Sequence, residues 1–65
     1  MNEPLRFNGV DVREENGELC FSVAGDFRVL PGASIVVNGQ RGLVTRHAYM
    51  RDTAPRTTTI SFLLS

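Results

Sequence analysis

Apolar and polar residues alternate along this chain in short runs, which is the pattern of β-strands. The clearest case surrounds Asn16-Gly17, a pair suited to a two-residue type I′ turn because both of its positions need positive φ. The flanking residues then fall into register, with apolar pairs on one face and mostly polar pairs on the other. The predicted pairs are Val12 with Phe21, Val10 with Val23, Asp11 with Ser22 and Arg13 with Cys20.

A second hairpin is predicted in the middle of the chain. Pro31-Gly32 forms an entry turn, the run 35–37 is apolar and β-branched, and Asn38-Gly39 reverses the direction. The segment 38–42 permits loops of two to five residues, so the register stays open. The returning strand extends from Leu43 to about Met50, and neither of its faces is cleanly apolar. A mixed strand of this kind indicates an edge or partner-facing strand.

The remaining segments predict the two ends of the sheet. The alternation of residues 5–12 changes phase at Asn8-Gly9, which indicates a bulge or a bend. Residues 25–32 form a connection that anchors Phe27 and Leu30 in the core. Residues 56–64 form the last strand, with Ile60, Phe62 and Leu64 on one face.

No stretch of the 65 residues shows sustained helical periodicity. The chain is too short for a second core, so residues 1–65 form one domain. The predicted fold class is all-β, a small single barrel of about five antiparallel strands. Both an SH3-like and an OB-like barrel fit the pattern.

A core of this size gives marginal stability unless a staple or another chain adds to it. Cys20 is the only cysteine, which excludes an internal disulfide, and one Cys with one His cannot make a four-ligand zinc site. We therefore predict no metal and no cofactor. Burial against another chain is the remaining source of stability.

The residues also carry no arrangement typical of catalysis. His47 is the only histidine and lies beside Arg46 on a strand, which favours a surface or packing role. Asp26 has no partner carboxylate for acid-base work, and Glu14 and Glu15 point to opposite faces as solvating charges. Cys20 has no neighbouring His or Cys in sequence and is interpreted as a structural thiol. We predict that the protein is not an enzyme.

The formal net charge is zero, but the two halves of the chain differ in sign. Residues 1–33 sum to minus three and residues 34–65 sum to plus three. A neutral dipole of this kind can dock onto copies of itself or onto a charged neighbour. The candidate interface comprises four arginines with an aromatic and a methionine that supply contact area. These residues are Arg41, Arg46, Tyr49, Met50, Arg51 and Arg56.

The small core and the uneven charge predict a non-catalytic assembly module that binds its own copies or a larger structural protein. Two other functions compete with this hypothesis. A small barrel could bind nucleic acid through the same arginines, with Tyr49 and Phe62 as stacking platforms. The five-residue spacing of these arginines alternates strand faces, which argues against a continuous basic stripe. Alternatively, the protein could inhibit or adapt a host protein through an edge strand. The N-terminal residues 1–6 resemble no signal peptide, and nothing resembles a spanning helix, which predicts a cytoplasmic protein without membrane contact.

One resemblance bears on these alternatives. Residues 25–39, then 42–47 and 57–62, resemble the small β-barrel of contractile-phage tail-hub proteins of the late control D type. In that family a Pro-Gly element and an alternating strand open the barrel, and a Thr-rich strand closes it. The resemblance covers about forty residues and implies a structural component of a tail, a baseplate or a connector, located in the virion after assembly. It implies no active site.

Overall fold

The fold is described by a computed structural model over residues 4–51 and 53–65. Residues 1–3 lie outside the described residues, and they belong to the stretch 1–6 from which a cytoplasmic protein is predicted. Asp52, which falls between the predicted strands 43–50 and 56–64, also lies outside them. The described residues form strands, turns and loops without a helix, which confirms the all-β class. The strands are β1 (Leu5–Phe7), β2 (Arg13–Glu15), β3 (Glu18–Ala24), β4 (Ser34–Val37), β5 (Gln40–Val44), β6 (Tyr49–Arg51) and β7 (Thr57–Leu64).

The strands form one mixed sheet in the order β1-β4-β5-β7-β3-β2, and β6 also pairs with β7. The sheet has seven strands where about five were predicted, and it does not close into a barrel. One pair, β1 with β4, is parallel, so the sheet is not purely antiparallel. The last strand, β7, is central because it pairs with β3 on one side and with β5 and β6 on the other.

Both Asn-Gly pairs form two-residue turns. Asn16 and Gly17 have φ of 52° and 81°, and Asn38 and Gly39 have φ of 50° and 84°, as a type I′ turn requires. The first turn sets the predicted pair of Arg13 with Cys20. The second fixes the register that the sequence left open, because β4 and β5 pair from Val37 opposite Gln40 onward.

The β2–β3 ladder is shorter than predicted. It ends at Arg13, so three predicted pairs do not form: Val12 with Phe21, Asp11 with Ser22 and Val10 with Val23. Instead, Val10 pairs with the side chain of Asn38. The Asn38 Oδ1 accepts from the Val10 N–H at 3.1 Å, and the Asn38 Nδ2 donates to the Val10 carbonyl at 2.9 Å. The chain turns away from β3 because this side chain provides the partners that a strand would otherwise supply.

The predicted strand from Leu43 to Met50 is two strands. β5 ends at Val44 and β6 begins at Tyr49, and both lie against the same edge of β7. Thr45 still donates its N–H to the Ser61 carbonyl at 3.0 Å, after which the chain leaves the ladder. Ala48 then donates its N–H to the carbonyl of Val29 at 3.3 Å, so the connection between the two strands packs beside residues 27–30.

The core lies on one side of the sheet and is centred on phenylalanines. The rings of Phe7 and Phe21 are 5.0 Å apart, and those of Phe21 and Phe62 are 5.6 Å apart in an edge-to-face arrangement. Phe27 packs edge-to-face on Phe7, which confirms that it anchors the connection. The buried core residues are Phe7, Phe21, Val29, Ile35, Val37, Val44, Ile60 and Phe62.

One predicted burial state is wrong. Leu30 is exposed and Val29 is buried in its place, because the Pro31-Gly32 turn begins at Leu30. Leu64 is also exposed, since the residue opposite it on β5 is Gly42, which offers no side chain to cover it. Cys20, interpreted from the sequence as a structural thiol, is buried, with a relative exposure of 6%.

Candidate functional site

The sheet has a second surface, opposite the core, which we call the outer face. In β3 and β7 it carries alternate residues, mostly small and hydroxylated, that pair across the two strands. Ser22 and Thr59 are hydrogen-bonded through their hydroxyls at 2.8 Å. Cys20 lies opposite Ser61 in the next row. This arrangement follows from strand parity, because Phe21, Ile60 and the other core residues take the alternate positions.

β6 is an edge strand at one side of this face. Tyr49, Met50 and Arg51 are all exposed, and Tyr49 is 70% exposed. Tyr49 lies opposite Thr59 and Arg51 opposite Thr57, so both belong to the outer face, while Met50 belongs to the opposite face. Among residues 4–51 and 53–65, β6 pairs with β7 alone. An edge of this kind leaves backbone groups available for another strand.

Two of the candidate arginines already have partners on the chain. Arg46 forms an ion pair with Glu18 of β3, across 28 positions of sequence. Arg51 donates through Nε to the hydroxyl of Thr53 at 3.0 Å, which orients its guanidinium at the end of β6. Arg56 is exposed and immediately precedes β7, with its carbonyl bonded to the Gly25 N–H at 3.0 Å.

Arg41 lies far from the other candidates. It is opposite Val36 in β5, and the next residue, Gly42, is opposite Leu64. Met50 is opposite Thr58, and six residues of extended strand separate Thr58 from Leu64, a span of about 20 Å. The structure therefore brings Tyr49, Met50 and Arg51 together, with Arg56 nearby, and does not add Arg41. This separation does not support a continuous basic stripe for nucleic acid.

The sequence interpretation missed a second exposed edge on β2. Arg13, Glu14 and Glu15 are all exposed, and β2 pairs with β3 on one side. The preceding Asp11 and Val12 are exposed and lie outside any strand, with Val12 at 37% exposure. The alternation had placed Val12 in the core. Val12 is exposed because the β2–β3 ladder stops at Arg13 and does not include it.

The polar side chains nearest Cys20 line a small cleft on the outer face. The cleft near Cys20, of about 130 Å³, brings Arg13, Glu18, Arg46 and the hydroxyl-bearing side chains of the outer face around the buried thiol. No group of three His, Cys, Asp or Glu residues in the described part of the chain could hold a metal ion. A larger groove of about 580 Å³, at the other end of the sheet, is lined by Leu5, Val29, Arg41 and neighbouring residues.

No family model, no curated protein and no solved structure matches this chain. The described residues also contain no helix of the length and apolarity that crossing a membrane requires.

Proposed function

We propose that this protein is a non-catalytic structural or interaction module that associates with a protein partner or with its own copies. The observation that carries the proposal is the exposed edge of β6, where Tyr49 and Met50 present apolar area beside unpaired backbone. Aromatic and methionine side chains are enriched in protein interfaces, and an open sheet edge is a template for strand addition.

The size of the core supports the same proposal. The sheet is open, and eight buried side chains form its core. Several large apolar residues remain exposed outside that core, among them Leu43 and Leu63, which are directly opposite each other on the outer face. A core of this size gives only marginal stability, and an interface that covers such residues would increase it.

Within this proposal, the protein serves as an assembly component of a phage virion, in its tail, baseplate or connector. The support is the resemblance of residues 25–39, 42–47 and 57–62 to the barrel of tail-hub proteins. Such a component would be made in the cytoplasm and would reach the virion by binding its neighbours.

The proposal is tested by light scattering coupled to size exclusion over a concentration series at low salt, together with capture of partners from the native lysate. We expect either self-association or a recovered partner. Replacing Tyr49 and Met50 with Glu should abolish the association, because two charges would enter the interface.

Leu30→Glu is the matched control, since Leu30 is exposed at 64% and lies outside β6. It should leave the association unchanged. A chain that stays a monodisperse monomer at the highest concentration, with no partner recovered from the lysate, would overturn the proposed function.

A further inference from the structure

The sheet offers two free edges that differ in charge. β2 carries Arg13, Glu14 and Glu15, preceded by Asp11, whereas the charged residue of β6 is Arg51. Both strands are three residues long, and both are exposed at every position. The third edge strand, β1, differs from them because its Phe7 is buried in the core.

The two edges are also compatible in direction. β6 and β3 each run antiparallel to β7, and β2 runs antiparallel to β3, so β6 and β2 run in opposite directions. A second copy placed beside the first, with its outer face on the same side, therefore sets its β6 antiparallel to β2 of the first. The outer faces of the two sheets are then continuous.

Charge disfavours the register in which the two three-residue strands overlap fully. If Tyr49 lay opposite Glu15, Arg51 would face Arg13, and like charges directly opposite each other are destabilising. A shift of two residues, which keeps every side chain on its face, replaces this repulsion with three favourable pairs. These pairs are Arg51 with Asp11, Met50 with Val12 and Tyr49 with Arg13.

Each of these pairs matches the exposure of its members in the single copy. Met50 and Val12 are exposed apolar residues, at 41% and 37%, and pairing would cover both. Tyr49 is the most exposed of the large apolar side chains described, and an arginine against its ring gains from cation–π attraction. Asp11 precedes β2 outside any strand and is free to extend it by pairing.

We propose that the β6 edge of one copy binds residues 11–13 of a second copy in an antiparallel strand pair, with Arg51 opposite Asp11. This inference rests on the proposed function and names its partner as another copy of the chain. Each copy has one edge of each kind, so the contact is heterologous. Repetition of such a contact gives a ring if the rotation closes and a filament if it does not.

Charge reversal tests the proposed pair. Asp11→Arg and Arg51→Asp should each weaken self-association by about tenfold or more, because each puts like charges opposite one another. An equimolar mixture of the two variants should assemble again, since each acidic edge then meets a basic one. The double variant, which carries both changes in one chain, should also assemble by itself.

The readout is sedimentation velocity over a concentration series at low salt, with circular dichroism to verify that each variant is folded. Arg28→Asp is the control, since it makes the same charge change at an exposed loop residue and should associate like the unmodified chain.

Three results would overturn the inference: an unmodified chain that stays monomeric, single variants that assemble normally, or a mixture and a double variant that both remain monomeric. A chain that stays monomeric but recovers a partner from its lysate would contradict this inference without contradicting the proposed function.

Discussion

Thr58 is a polar residue that the core buries completely. Its hydroxyl donates to the Gly25 carbonyl at 2.7 Å and accepts from the Phe27 N–H at 3.1 Å. One side chain thus satisfies two backbone groups of the connection that carries Phe27 into the core. This contact explains why a threonine occupies a position on the same face as Ile60 and Phe62.

Thr58→Val should therefore destabilise the fold by about 1–3 kcal/mol, although valine preserves the shape and the β-propensity. The cause is the loss of the hydroxyl partner for two backbone groups whose hydrogen bonds are part-buried. Urea unfolding measures the change. Thr57→Val, one position earlier and half-buried, is the control and should change the free energy of unfolding by much less. Equal effects at the two positions would contradict the assigned role of the Thr58 hydroxyl.

Gly42 is required for a steric reason. A Cβ at this position would lie 2.7 Å from Cδ2 of Phe62 and 3.1 Å from the Leu63 carbonyl oxygen. Gly42→Ala should destabilise the protein by about 1–3 kcal/mol, because a buried ring has to move against a closely packed core. Thermal unfolding followed by circular dichroism measures this, and Gln40→Ala, exposed in the same strand, should leave the midpoint nearly unchanged. A midpoint of Gly42→Ala equal to that of the unmodified chain would show that Phe62 has room to adjust.

Individual residues were predictable from sequence where a local rule determines them. Asn16-Gly17 sets its turn by backbone preference alone, and Ile60 and Phe62 are buried because of strand parity. Leu30 could not be assigned correctly from the apolar pattern, because the Pro-Gly turn begins at this residue. The Arg46–Glu18 ion pair could not be predicted from the sequence either, since it depends on how β3 and the segment after β5 pack against each other.

At the scale of elements, the two Asn-Gly turns are alike in backbone and different in side-chain role. Asn16 and Asn38 have φ of 52° and 50°, but only Asn38 makes described side-chain hydrogen bonds, both to Val10. Asn38→Ala should therefore cost about 1–2 kcal/mol more than Asn16→Ala, which bears the same backbone strain. Chemical denaturation of the two variants measures the difference directly. Equal losses would mean that the link from Asn38 to Val10 adds no stability.

The sequence predicted strands more reliably than their partners. The threonine-rich run was correctly predicted to form a strand, and the β2–β3 hairpin has the predicted register at Arg13 and Cys20. The parallel pairing of β1 with β4 was not predictable from alternation, because it joins segments about thirty residues apart. The division into β5 and β6 was missed for a related reason. Residues 45–48 leave the ladder to pack beside Val29, a contact that no local pattern encodes.

For the candidate interface, the sequence predicted an edge strand at residues 43–50 but missed the second exposed edge on β2. The mixed run that ends at Met50 suggested an edge strand, and β6 lies at an edge. Asp11 and Val12 are exposed because the β2–β3 ladder stops at Arg13. The apolar pattern instead predicts that the ladder continues to Val10. The grouping of the arginines also depended on the fold, which separates Arg41 from β6.

At the scale of the whole molecule, zero net charge conceals an uneven distribution of charge. If copies associate through edges of opposite sign, raising the ionic strength should shift the association curve to higher protein concentration. Sedimentation velocity at low and at high salt measures the shift. Association that strengthens with salt would instead indicate an interface dominated by exposed apolar residues such as Leu43 and Leu63.

The central position of β7 has a consequence for how the chain is made. Residues 57–64 join β3, β5 and β6, yet they are synthesised after all three. A nascent chain that has reached only residue 56 can form its two hairpins but cannot join them into one sheet. Phe21 and Val44 then lack the core contacts that Ile60 and Phe62 provide. The sheet can therefore be completed only after residues 57–64 have been synthesised. Until then the strand edges that β7 will join stay unpaired, and unpaired edges of this kind are prone to aggregation.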